Sequence, residues 1–216
     1  PRAIVRHESR LAPRPWARRR VEYGTSAAAL SRLHPRRLAP ARVSSWNLAS
    51  ICLVASGSPC SALGTTAVAT ILLHRRLRSL GLGPSVALST VARGLVADSA
   101  AIGHTLRREW WPIGAAALVA SRHSRVARCG AVLMVAPLLL EWGRQRGDLD
   151  VLSYSGLRLV DDALYGTGVA VGSWKARTIA PLVPEVAIPE GLRRLGSRLR
   201  AQLGRTCSAQ RRCTSS

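Results

Sequence analysis

Few residues in this chain of 216 are spaced to do chemistry. Asp161 and Asp162 are its sole adjacent carboxylates, and paired carboxyl groups are the usual currency of acid–base work. Neighbours on a helix point about 100° apart, so this pair cannot clasp one atom as an i, i+4 pair could. Arg158 stands three and four residues before them. The set reads either as a local ion-pair cluster or as a polar anchor of Arg158, Asp161 and Asp162 that holds one helix against another membrane element. The five histidines are scattered singly, with no HExxH, HxH or Cys–His arrangement, so surface or interface positions are expected rather than metal ligation. No GxSxG elbow and no phosphate-cradling GxGxxG or Walker-type loop occurs. Arg18, Arg19 and Arg20 could grip phosphate through their guanidinium forks, with Trp16 and Tyr23 close enough to stack on a ring.

The composition limits what such groups can serve. A net charge of +21 coexists with 47% hydrophobic residues, and the basic side chains are one lysine (Lys175) against 31 arginines. A soluble nucleic-acid binder is basic but seldom this apolar, and no recognisable module interleaves aromatics with the arginines. Apolar segments flanked by arginine are instead the pattern of a membrane protein with its basic loops on the cytoplasmic side. Cys52, Cys60, Cys129, Cys207 and Cys213 form no CxxC pair, and a zinc site or disulfide framework is not expected. The first 42 residues carry 11 arginines and no apolar stretch of the signal-peptide kind, which favours a cytoplasm-facing location at the membrane.

The elements that would position these groups are mainly α-helical. Residues 1–42 are polar and broken by Pro13, Pro15, Pro35 and Pro40, and short helical turns between prolines, with a Tyr-Gly-Thr-Ser turn at 23–26, are the most expected there. Residues 43–78 begin with 32 residues free of Asp, Glu, Lys and Arg, interrupted by Gly57-Ser58-Pro59. Two short arms, WNLASICLVAS and CSALGTTAVATILL, read as a shallow helical hairpin with arginines at both outer ends. Residues 79–188 read as further interfacial or membrane helices. Over 85–108 an amphipathic helix at the interface is expected, because Arg93 and Asp98 sit too centrally for an easy span. Trp110, Trp111 and Trp142 suit a membrane–water belt, with an internal aromatic pair as the other reading of the first two. Short apolar runs follow at 113–121 and 129–140, then a mixed helix over 151–174, and Pro181, Pro184 and Pro189 should end ordered structure in stages. Residues 189–216 place Leu192, Leu195, Leu199 and Leu203 on one face of a basic amphipathic helix.

Together RRRVEYGTSAAALSRLHPRRLAP, the two apolar arms, REWWPIGAAAL and YSGLRLVDDALYGTGVAVGSWKARTIAPLVP resemble the C-terminal half of the mycofactocin-system glycosyltransferase, a family-2-type enzyme of actinobacteria. The resemblance spans roughly residues 10–185, and YGTSAA and LRLVDDALYGTGV carry most of it. It implies an upstream GT-A α/β catalytic domain, of which residues 1–42 would be the tail end, and the start at Pro1 fits a missing catalytic half. It further implies glucose transfer from UDP-glucose onto the mycofactocin precursor. UDP-sugar and a divalent metal would belong to the full-length parent, with no cofactor held by this chain. The partners implied are that N-terminal domain, the mycofactocin precursor and a bilayer with anionic head groups. Asp148-Leu149-Asp150 spells the family's metal-binding triplet but follows an apolar run, and is read as chance. Family-2 catalytic domains end in a basic, aromatic element often of QxxRW type. Residues Trp16, Arg19, Arg20 and Tyr23 take the comparable place here in different letters, so the resemblance gives them contact with the acceptor or diphosphate. A stand-alone membrane adaptor and a nucleic-acid binder are the competing classes.

Overall fold

The computed structural model describes residues 12–34, 37–145 and 149–188. The architecture is mainly α, as the sequence implies. In chain order it runs α1 (Pro13–Leu33), β1 (Arg42–Ser44), α2 (Ser45–Ala55), α3 (Pro59–Leu77), α4 (Pro84–Arg107), α5 (Trp111–Ala120), α6 (Arg125–Gln145), α7 (Val151–Lys175) and β2 (Glu185–Ala187). The basic helix expected over 189–216 lies outside the described residues.

Helix α1 corrects the expectation of short turns between prolines. Pro13 and Pro15 fall in its first turn, where backbone N–H groups have no helical partner to lose. The helix then runs unbroken for 21 residues to His34, which precedes a proline and leaves the helical region. Residues 23–26 are mid-helix, not a turn. Gly24, Ala27, Ala28 and Ser31 recur at i, i+3, i+4 and i+7 and form the buried stripe of α1. That stripe lies on α7, whose Gly168 and Gly172 are spaced as a GxxxG motif. The two helices run in the same direction: Arg20 meets Asp161, Gly24 meets Gly168 and Arg32 donates to the Ala176 carbonyl. A Cβ at Gly168 would overlap the Val21 carbonyl and stand 2.9 Å from Gly24 Cα. The close approach therefore needs glycine.

The two apolar arms are α2 and α3, which pack on each other across a turn at Gly57 (φ +89°). Helix α4 continues for 24 residues, or ~36 Å of rise. Asp98, read as an obstacle to a span, accepts hydrogen bonds from the Ser44 N–H (2.9 Å) and Asn47 Nδ2 (2.7 Å) at the start of α2. Its charge is thereby answered inside the bundle by the start of α2. Helix α6 is also longer than the apolar run that announced it, beginning at Arg125 and running through Pro137. Pro137 cannot donate to the Leu133 carbonyl, and that freed carbonyl faces Gly103 of α4. Met134, Leu138 and Val169 are the largest fully buried side chains, a small core for seven helices.

Asp150 caps α7, accepting from the Leu152 and Ser153 N–H groups. Contacts from the Ser153 side chain and then its backbone hold this carboxyl below its ordinary value. The chain after α7 does not simply lose order at its prolines. A 3-10 turn at Ala180–Leu182 leads to β2, which pairs in parallel with β1 in the register Val43 to Val186. Arg42 Nε bonds Glu185 at 2.8 Å across this pair. No short strand was visible in the sequence, because a three-residue ladder has no periodicity to detect.

Candidate functional site

Charge inside the bundle converges on α7. Asp161 and Asp162 point apart, as helical geometry requires, and each takes an arginine from a different element. Asp161 pairs with Arg20 of α1, and Asp162 lies 3.1 Å from Arg107 at the end of α4. The Arg107–Asp162 pair is about 95% buried on both sides and sits at ion-pair distance without hydrogen-bond alignment. Arg107 also reaches the Met134 carbonyl at 3.4 Å. Arg158 turns away from both aspartates to Glu141 of α6, 3.3 Å distant. These three pairs tie α7 to α1, α4 and α6.

Below them lies a recess of about 200 Å³ that includes Arg37, His104, Arg108, Glu109 and Tyr165 in its lining. The Arg108 guanidinium lies 3.6 Å from the Tyr165 ring centre, with that of Arg20 at 5.8 Å. Glu109 Oε1 is 3.5 Å from Arg108, while Oε2 is buried with no hydrogen-bond partner. Burial pushes the Glu109 carboxyl up to about 7 against the opposing pulls of its own backbone N–H and of Arg108. A carboxyl titrating there can give and take a proton at neutral pH. Glu109 escaped the sequence reading, although one carboxylate between two apolar segments is a signal that it needs a partner.

This raised value makes stability depend on pH. Between the ordinary value of 4.5 and about 7 the folded chain holds a proton that the unfolded chain has released. Stability therefore falls as pH rises through that window, by no more than about 3.4 kcal/mol. Glu109→Gln should flatten this part of the profile, measured by thermal unfolding in detergent between pH 5 and 8. Parallel wild-type and variant profiles would rule out Glu109 as the cause.

The four residues assigned to the acceptor or diphosphate do not form one cluster. Arg19 and Tyr23 sit on the outer face of α1, joined by a 2.9 Å hydrogen bond from Arg19 Nε to the phenol oxygen. With Arg14, Arg18 and Glu22 they line an open basin of about 830 Å³. Arg20 faces α7 instead, and Trp16 is half-buried outside the basin lining. Each of the three tryptophans assigned to the interface donates its indole N–H within the protein: Trp110 to the Leu182 carbonyl (2.8 Å), Trp111 to the Thr167 hydroxyl (3.1 Å) and Trp142 to the Leu149 carbonyl (2.9 Å), the last two bonds being exposed. Among the described residues no three His, Cys, Asp or Glu side chains gather as a metal site.

Compared with known proteins, the chain is 30% identical over 199 residues to the pre-mycofactocin glycosyltransferase of Mycobacterium tuberculosis, strains CDC 1551 / Oshkosh and ATCC 25618 / H37Rv. It is similar to part of that glycosyltransferase. The match covers 86% of this chain and 41% of the relative, consistent with a C-terminal half of the pre-mycofactocin glycosyltransferase. The resemblance read from YGTSAA and LRLVDDALYGTGV is thereby borne out. No family model matches the chain, and no solved structure matches it.

Proposed function

We infer that this chain works as the membrane-associated C-terminal portion of a glycosyltransferase that moves glucose from UDP-glucose to the mycofactocin precursor. The likeness to the pre-mycofactocin glycosyltransferase, over 86% of this chain, is the observation that carries the reading. Membrane association has separate support. Helices α4 and α6 are each long and apolar enough to cross a bilayer, and only 11% of either apolar window is buried. Leu63, Leu88, Val96, Val119 and Leu140 all stand exposed on α3 to α6, apolar side chains that a bilayer would cover. In this reading the basic face of α1 lies on the cytoplasmic side. Arg19, held by Tyr23, presents its guanidinium to a diphosphate or to an anionic group of the acceptor.

The test joins the chain behind the portion of the M. tuberculosis relative that precedes the matched region. Membranes bearing this fusion should transfer labelled glucose to the precursor, and Arg19→Ala should lower the rate by about tenfold, the loss of one charge-assisted contact. The fusion should stay in the pellet in roughly 1 M salt, which screens surface charge, and leave it in detergent. Unchanged turnover of the variant would remove Arg19 from the site. Release by salt alone would sink the membrane reading and favour a peripheral, charge-bound protein.

A further inference from the structure

A third cavity, with no lining residue from α1, lies between α2, α3, α4 and α6. Its volume is about 710 Å³, within the range of roughly 300–1,000 Å³ typical of small-molecule pockets. Ile51, Val54, Leu63, Leu95 and Val132 give it walls that are almost wholly apolar. The charged groups lining it are Arg125 and Arg128, one turn apart at the start of α6.

Both side chains are exposed, and their spacing sets two like charges side by side at the cleft. They repel each other at i, i+3, and they put positive charge at the positive end of a helix. Arg128 Nε donates to the Ser121 carbonyl at 3.2 Å, which leaves the outer nitrogens of its fork free of that bond. No carboxylate among the described residues pairs with either. Among the described residues every carboxylate is engaged elsewhere: Glu22, Glu109, Glu141, Asp161, Asp162 and Glu185 in ion pairs, Asp98 on α2 and Asp150 as a cap. An apolar cleft ending in two unneutralised guanidinium groups complements an anionic amphiphile.

We propose that this cleft binds one anionic phospholipid, an acyl chain between α2, α3 and α6 and the phosphate on Arg125 and Arg128. The lipid fills apolar space that the side chains leave open, and its phosphate relieves the repulsion at the start of α6. The proposal rests on the membrane reading above but adds a single defined site to it.

The experiment uses the full chain in nonionic detergent, titrated with phosphatidylglycerol or phosphatidylcholine and read by native mass spectrometry. Wild type should retain phosphatidylglycerol about tenfold better than phosphatidylcholine. The double variant Arg125→Gln, Arg128→Gln should lose that preference, a tenfold change being one charge-assisted contact's worth. Ser99→Phe, which fills the cleft, should lower retention of both lipids. Arg75→Gln with Arg76→Gln, outside the cleft, should change neither, and circular dichroism confirms that each variant is helical. Equal retention of the two lipids, an unaltered double variant, or an equal loss in the Arg75, Arg76 control each overturns the proposal. A chain that partitions into membranes yet fails these tests loses only the cleft, whereas one that washes off membranes in salt loses the membrane reading itself.

Discussion

Asp162→Ala is expected to destabilise the fold by about 3–5 kcal/mol, the cost of leaving a buried charge without its partner. Arg107, about 95% buried, would keep only the long bond to the Met134 carbonyl. The neighbouring substitution should be far milder. Arg20 and Asp161 are 30% and 16% exposed, so solvent can replace part of the lost interaction, and Asp161→Ala should cost about 1–2 kcal/mol. Chemical unfolding in detergent, followed by circular dichroism, measures both. A third variant, Arg107→Met with Asp162→Leu, removes both charges and should recover most of the loss, because apolar replacement of a whole buried pair is often neutral. Equal effects of the two aspartate variants would contradict the geometry. Failure of the double replacement to recover stability would show that the loss comes from packing rather than from the orphaned charge.

The divergence of these aspartates was legible in the sequence, since 100° per residue forbids adjacent side chains from sharing one partner. Their partners were not. Arg20 is 141 residues from Asp161, and no local pattern encodes a contact that depends on how α1 lies across α7. The two arms of the apolar hairpin were also legible, because 32 residues without a charged side chain leave only Gly57-Ser58-Pro59 as a place to turn. Helix α1 was misread for a positional reason: Pro13 and Pro15 break a helix interior but open a helix when they occupy its first turn. Helix α6 starts before the apolar run at 129–140 because Arg125 and Arg128 form its first turn, which carries no apolar signal. Glu109 went unseen because its chemistry comes from burial, which follows from the fold and not from its immediate neighbours.

Gly168→Ala tests the α1–α7 contact through the sign of its effect. On helical propensity alone the change should stabilise α7 by about 0.8–1.0 kcal/mol. The new methyl group instead meets backbone, the Val21 carbonyl and Gly24 Cα, neither of which can move without the whole helix. A net loss of about 1–3 kcal/mol is expected, as for other overpacked contacts. Gly168→Leu should lose more than about 3 kcal/mol and expel α1, since several further atoms must fit where one does not. Gly156 lies on the same helix with nothing within 4 Å of an added methyl group, so Gly156→Ala should stabilise as propensity dictates. Unfolding midpoints give the signs, and limited proteolysis near Arg18 to Arg20 reports whether α1 has left α7. If both alanine variants stabilise the protein, the close approach is not part of the native packing, and the polar ties from Arg20 to Asp161 and from Arg32 to the Ala176 carbonyl would have to hold α1. If they diverge in sign, the small-residue stripe rather than that half-buried pair is what fixes the basic helix, with Arg19 and Tyr23 on its outer face, to the rest of the bundle.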